Sequence, residues 1–294
     1  MPPRLQRPQS RTAPARREAA PTKARPFAVP KISLEGFGHG SVGRRSKAIG
    51  PRGSTIGAKR SGHGLHLPAT VLAAANRGAQ IDGSGQSMIP LRPEDIHGAI
   101  RQGTESNLVV FVVDTSGSMA ARDRLSAVTG AVTSLLRDAY QNRDKVAVVA
   151  FRGTGAEVLL PATRSVDAAV RRLADVRTGG RTPLAEGLLA ARALIEREAR
   201  KEPERRPIMV LLSDGRATGP VGLERVRAAA AAWRRKVDAA AVVIDCERSR
   251  VRLGLARKLA ADLGAQCLSL AELSSESVAG VVRAYHRGYV SRKA

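Results

Sequence analysis

The chain has 294 residues, enough to bury a hydrophobic core of ordinary size, and 43% of its residues are hydrophobic. Its formal net charge is +23, of which residues 1–60 supply +12 through 14 Lys or Arg against two Glu. No window approaches the roughly 18 apolar residues of a membrane span, and the N-terminus lacks the apolar region of a signal peptide. Only two cysteines are present, which excludes a disulfide framework. We therefore expect a cytoplasmic protein without a membrane segment.

Residues 1–64 are predicted to form a disordered basic leader rich in Pro, Gly and Arg. A basic arm can bind phosphates or an acidic protein surface. Its only aromatic residues are Phe27 and Phe37, however, so base stacking has little support and we disfavour a nucleic-acid partner. Of its two glycine-rich stretches, "GHGSVGRR" has Arg where a phosphate loop needs Lys, and "GSTIGAKR" has the wrong glycine spacing. We expect no nucleotide site on this chain.

Residues 65–104 form a second predicted unit, a collar or docking segment that is too small to fold alone. It contains a predicted helix at 68–76 and an extended piece with a capped turn at 93–101. From residue 105 to 294, short Val-rich runs alternate with amphipathic helical patterns. This alternation predicts one α/β domain with a doubly wound, mostly parallel sheet and helices on both faces.

The predicted elements of this domain follow in chain order. Strands are expected at 107–114, 144–151, 156–162, 207–214, 238–245 and 265–270, with a hairpin across "RGTG" between the second and third. Helices are expected at 124–141, 185–199, 222–235, 251–263 and near 275–288. A further helix is expected over "SVDAAVRRLADV", with Ser165 as its N-cap.

Two carboxylates stand at the ends of predicted strands. Asp114 closes "NLVVFVVD" and Asp214 closes "PIMVLLSD", so both should reach the same edge of the sheet. Carboxylates placed together repel each other unless a cation lies between them. Ser116, Ser118 and the glycine-flanked Thr182 can add hydroxyl oxygens. An all-oxygen set suits magnesium, so these five residues are the predicted metal ligands.

Simpler explanations exist for each piece of this pattern. A Ser after an Asp is often a helix N-cap, and Asp-Gly is an ordinary turn signal. The three pieces in this order are nevertheless jointly specific. Catalytic alternatives fit less well: Ser116 occupies the position where a phosphoaspartyl enzyme needs a second acid, and no histidine lies in the strand-end loops. We expect a binding site with no catalytic residues, completed by a carboxylate from another protein.

The segments "DTSGSM", "TGGRTPL" and "LLSDG" resemble the metal-ion-dependent adhesion site of von Willebrand factor A domains, also called integrin I domains. The resemblance implies that Asp114, Ser116, Ser118, Thr182 and Asp214 hold Mg²⁺ directly or through water. A longer resemblance, from about Gly43 to the end, is to the carboxyl-terminal half of the D-type subunits of magnesium chelatase and their cobalt chelatase relatives. That family usually joins an AAA+-like module and an acidic or proline-rich linker to this domain, whereas the leader here is basic. We therefore expect either a separate gene for the ATPase module or a shortened paralogue.

This resemblance implies a non-catalytic subunit of an ATP-dependent chelatase that inserts magnesium into protoporphyrin or cobalt into a corrin precursor. Its partners would be an AAA+ ATPase subunit and the large porphyrin-binding subunit, one of which supplies the acidic residue. The alternative is a general adaptor that pairs with an AAA+ ATPase acting on another metalloenzyme or complex. Both hypotheses use the same site.

Overall fold

The computed structural model describes residues 34, 37–79, 89–117, 122–174, 176, 178–218, 222–247 and 252–270. The strands in these ranges are β1 (Val42–Gly50), β2 (Ser54–Lys59), β3 (Gly98–Glu105), β4 (Leu108–Asp114), β5 (Lys145–Arg152), β6 (Gly155–Thr163), β7 (Pro207–Ser213), β8 (Ala240–Asp245) and β9 (Gln266–Ser269). The α-helices are α1 (Leu67–Asn76), α2 (Arg122–Gln141), α3 (Val166–Ala174), α4 (Leu184–Lys201), α5 (Gly222–Lys236) and α6 (Leu255–Leu263).

Six of these strands form the central sheet, in the order β6-β5-β4-β7-β8-β9. Strands β5, β4, β7, β8 and β9 run parallel, and the edge strand β6 pairs antiparallel with β5. The predicted hairpin across "RGTG" is therefore present. This arrangement confirms the predicted mostly parallel α/β sheet, and it brings the carboxyl ends of the parallel strands to one edge.

Strand β4 lies in the centre of the sheet and is buried along its whole length. Its side chains alternate between two hydrophobic clusters, as the two-residue period of a strand requires. Val109, Phe111 and Val113 pack with residues of α2, whereas Leu108, Val110 and Val112 pack with residues of α4, α5 and α6. Burial on both faces explains why this strand is a continuous apolar run.

Most predicted helices lie within a few residues of their predicted bounds. Ser165 caps α3, since its Oγ accepts a hydrogen bond from the N–H of Ala168 at 3.4 Å. Helix α6 begins at Leu255 rather than 251, because Gly254 before it adopts a left-handed backbone (φ 65°). The helix predicted near 275–288 lies outside the described residues. No helix in the described ranges is long and apolar enough to cross a membrane.

The prediction that residues 1–64 form a disordered leader is wrong for its last part. Strands β1 and β2 pair with β3 in an antiparallel sheet of order β1-β3-β2, called here the small sheet. The inward-facing positions of β1 are Gly43, Ser46 and Ala48. These residues are small or polar, so the strand carries no hydrophobic alternation. The predicted leader and collar segment therefore share one structural unit, to which the predicted helix α1 also belongs.

Buried ion pairs hold the small sheet against the amino end of the central sheet. Arg45 on β1 contacts both Asp138 and Asp144, and its side chain is only 4% exposed. Asp144 also accepts a hydrogen bond from the backbone N–H of Asn107 at 2.8 Å. On β3, the fully buried Glu105 pairs with Arg206. The small sheet is thus attached to the residues that begin β4, β5 and β7.

Replacing Arg45 with Met should leave the buried Asp144 carboxylate without its charged partner. Because an uncompensated buried charge is costly, we expect the free energy of unfolding to fall by about 3–5 kcal/mol. The matched control is Arg44→Met, which changes an exposed neighbour on the same strand and should alter stability by less than about 0.5 kcal/mol. Urea denaturation of both variants measures the difference; equal stabilities would show that the ion pair does not anchor the small sheet.

Candidate metal centre

The two predicted carboxylates lie side by side at the carboxyl edge of the central sheet. Asp114 is the last residue of β4, and Asp214 directly follows Ser213, the last residue of the adjacent strand β7. Both residues are only 2% exposed. The parallel register of β4 and β7 delivers both acids to one place, as the sequence predicts.

Hydrogen bonds fix the Asp114 carboxylate. Its Oδ1 accepts the backbone N–H of Ser116 at 2.9 Å, and its Oδ2 accepts the hydroxyl of Ser213 at 3.0 Å. The Ser213 Oγ in turn accepts the N–H of Gly215 at 3.1 Å. Asp214 accepts the N–H of Arg216 through Oδ1 at 3.0 Å, and the Arg216 Nε lies 3.6 Å from its other oxygen.

The loop that carries Thr182 is joined to its neighbours by backbone hydrogen bonds. Gly179 donates to the carbonyl of Thr115 and Gly117 donates to the carbonyl of Gly180, both at 2.9 Å. The N–H of Thr182 donates to Thr218 Oγ1 at 2.8 Å. These bonds close the loops after β4 and β7 around Thr182, so residues distant in sequence share one site.

Two of the three predicted hydroxyl ligands fall in the described part of the chain. Ser116 is fully buried and Thr182 is 4% exposed. Among the described residues, the Thr182 side-chain hydroxyl makes no hydrogen bond, although its residue is buried. A hydroxyl in this condition is available to a ligand. Ser118 lies outside the described residues.

Burial raises the pKa of Asp114 to about 6, and the nearby negative charge of Asp214 adds to the effect. The hydrogen bonds from Ser116 and Ser213 act in the opposite direction, because they stabilise the charged form. The site therefore holds a carboxylate whose ionisation is costly in the absence of a positive charge.

The residues present fit a hard, oxygen-binding cation. Asp114, Ser116 and Asp214 lie buried at the carboxyl edge of the sheet, and Thr182 lies on a loop that is hydrogen-bonded to this region. Their carboxylate and hydroxyl oxygens are donors of the kind that Mg²⁺ prefers. Within the described ranges, no group of three or more His, Cys, Asp or Glu could hold a metal, so a metal here would also need the hydroxyls. No described histidine lies in these loops.

Sequence reasoning missed two supporting residues. Ser213 orients Asp114, and Thr218 holds the Thr182 loop in place. Ser213 stands beside Asp214 in "LLSD", so its position could have suggested a role. Thr218 carries no comparable signal, because its contact with Thr182 spans 36 residues.

Comparison with known families agrees with this geometry. Residues 109–216 match the von Willebrand factor type A domain. Residues 109–216 are a von Willebrand factor type A domain. The match contains Asp114, Ser116, Ser118, Thr182 and Asp214, and it ends two residues after the last of them.

Three relatives show how far the similarity extends beyond this domain. The chain is 53% identical over 289 residues to the Uncharacterized protein Rv2850c of Mycobacterium tuberculosis, covering 96% of this chain and 44% of that protein. It is 34% identical to the Uncharacterized protein MJ0910 of Methanocaldococcus jannaschii, covering 56% and 97%. It is 32% identical to the Magnesium-chelatase 67 kDa subunit of Chlorobaculum tepidum, covering 86% and 44%. The chain thus spans less than half the length of the first and third relatives.

The Asp114 carboxyl gives this von Willebrand factor A domain a characteristic pH dependence. Its pKa is about 6 in the folded protein against an ordinary value of 3.8, so the folded state binds the proton more tightly between these values. The free energy of unfolding should therefore fall as pH rises from about 4 to about 6, by roughly 3 kcal/mol from this group.

Asp114→Asn should remove that contribution, so the variant gains stability relative to the wild type as pH rises. Urea denaturation from about pH 4 to pH 8 in buffer containing a chelator measures the difference. Asp238→Asn, at an exposed carboxyl, serves as the control. A difference between Asp114→Asn and wild type that does not change with pH would contradict the assignment.

Proposed function

We propose that the chain is a non-catalytic subunit of an ATP-dependent metal chelatase and that its von Willebrand factor A domain binds a partner protein through Mg²⁺. The observation that carries the proposal is the similarity to a magnesium chelatase subunit over 278 residues. That length exceeds the 108 residues of the domain match, so the similarity does not rest on the common domain alone.

The site supports this proposal chemically. Asp114, Ser116, Ser118, Thr182 and Asp214 would hold Mg²⁺, which when bound supplies a positive centre that accepts a carboxylate oxygen from outside the chain. The protein's own residues do the rest. Ser213 and the Ser116 N–H orient Asp114, while backbone hydrogen bonds join the loop after β4 to the loop that carries Thr182.

The partners under this proposal are an AAA+ ATPase subunit and the large porphyrin-binding subunit, one of which presents the acidic residue. The relative from Chlorobaculum tepidum is named as a subunit of magnesium chelatase, which supports the proposal that this chain also works together with other subunits. The inserted ion is substrate and is distinct from the Mg²⁺ proposed at Asp114. Neither that substrate ion nor the tetrapyrrole requires a site on this domain.

Magnesium binding by the purified chain tests the site directly. Isothermal titration of metal-free protein with Mg²⁺ should give saturable binding, and Asp114→Ala should weaken it at least about tenfold, or 1.4 kcal/mol. Affinity should also fall as pH drops below about 6, because a carboxylate ligand must be deprotonated. Asp238→Ala should bind as the wild type does; equal affinity of the Asp114 variant would exclude this site.

Capture of partners from the organism's own extract tests the assembly. The wild-type chain with Mg²⁺ should retain an AAA+ ATPase and a large chelatase subunit, and both chelator and Asp114→Ala should release them. An ATPase retained with a different client would support the general adaptor instead. Partners retained equally by the variant would contradict binding through the metal.

A further inference from the structure

A polar groove lies directly beside the proposed metal ligands. It has a volume of about 210 Å³ and runs between the start of α4 and the loops after β5 and β7. Its lining includes Thr154, Arg181, Thr182, Thr218, Glu186 and Arg225, and is called here the Arg181 groove. Thr182 lines the groove and is also one of the proposed metal ligands, so the two sites share a residue.

The charges of the groove favour an anion. Arg225 Nη2 lies 2.6 Å from Glu186 Oε1, so these two lining residues largely neutralise each other. Arg181 is exposed and has no ion pair within the described part of the chain. The groove therefore has one uncompensated guanidinium, and a guanidinium is suited to bind a carboxylate with two hydrogen bonds.

Backbone N–H groups at the start of α4 also favour an anion in the groove. The helix begins at Leu184 after Pro183, and no side chain caps its first turn. The N–H groups of Ala185 and Glu186, which line the groove, have no acceptor within the helix. The buried Thr182 also lines this groove, and its hydroxyl makes no hydrogen bond among the described residues. Donors and positive charge thus converge without an acceptor.

We propose that the Arg181 groove binds a second acidic side chain of the same partner segment whose first carboxylate completes the metal site. The inference rests on the proposed function, and it specifies the partner as a segment with two nearby Asp or Glu residues. The first acid is held at the metal and the second at Arg181. Recognition of a pair gives a selectivity that a single carboxylate at a metal cannot provide.

Synthetic peptides test the requirement for two acids. The probes are capped Gly/Ser peptides with two glutamates at varied spacing, and matched peptides in which one glutamate is replaced by glutamine. Binding is measured by titration with Mg²⁺ present. The two-glutamate peptide should bind the wild-type chain more tightly at one spacing. Arg181→Gln should reduce that advantage by roughly two- to fivefold.

Two further variants separate a local effect from general attraction. Arg200→Gln removes the same charge from the other end of α4 and should keep the advantage of the second glutamate. Glu186→Gln frees Arg225 from its ion pair and should increase the advantage. If Arg200→Gln and Arg181→Gln reduced the advantage of the second glutamate equally, the proposal that the groove binds it would be wrong, because net charge alone would then explain the binding.

The outcomes distinguish this inference from the function on which it rests. Suppose that the single-glutamate peptide binds in a magnesium-dependent way and the second glutamate adds nothing. The groove would then not bind a second acid, and the proposed function would remain in place. Absence of magnesium-dependent binding by every peptide would count against carboxylate capture at the metal, and therefore against both.

Discussion

The burial of two carboxylates at the ends of adjacent parallel strands is the constraint on which the site depends. Asp114 and Asp214 are each 2% exposed, at the edge of a sheet whose two faces are covered by apolar side chains. Burial, and to a smaller extent the negative charge of Asp214, oppose ionisation of Asp114 and raise its pKa. Neutral residues in these places would fold more easily, so the acids fit a function that supplies a positive charge.

Hydrogen bonds join the described parts of the loops around this pair to one another. Two backbone bonds join the loop after β4 to the Gly179–Gly180 segment, and reciprocal bonds join Thr182 to Thr218. Gly117 permits this closeness, since an added Cβ there would lie 3.1 Å from the carbonyl oxygen of Gly180. A binding site held by such bonds loses little conformational entropy when it is occupied.

The sequence predicted the central sheet and the meeting of Asp114 and Asp214 at its edge, because both follow from local patterns. Strands β4 and β7 are buried on both faces, so they stand out as apolar runs, and each acid lies at the end of its run. The small sheet was not predictable in this way. The buried positions of β1 are small or polar, and its partner β3 begins about fifty residues later. The ion pair of Arg45 with Asp144, which spans 99 residues, had no local signature either.

The two ends of the central sheet carry different features. At the amino end, buried ion pairs attach the small sheet to the starts of β4, β5 and β7. At the carboxyl end, Asp114, Thr182 and Asp214 form the candidate metal centre. The seven residues of β4 separate these ends by roughly 20 Å. Because the ion pairs lie at the opposite end from the metal centre, a partner bound there need not displace the small sheet. Similarity to a longer relative over 96% of the chain includes both ends, so the small sheet and the domain are matched together.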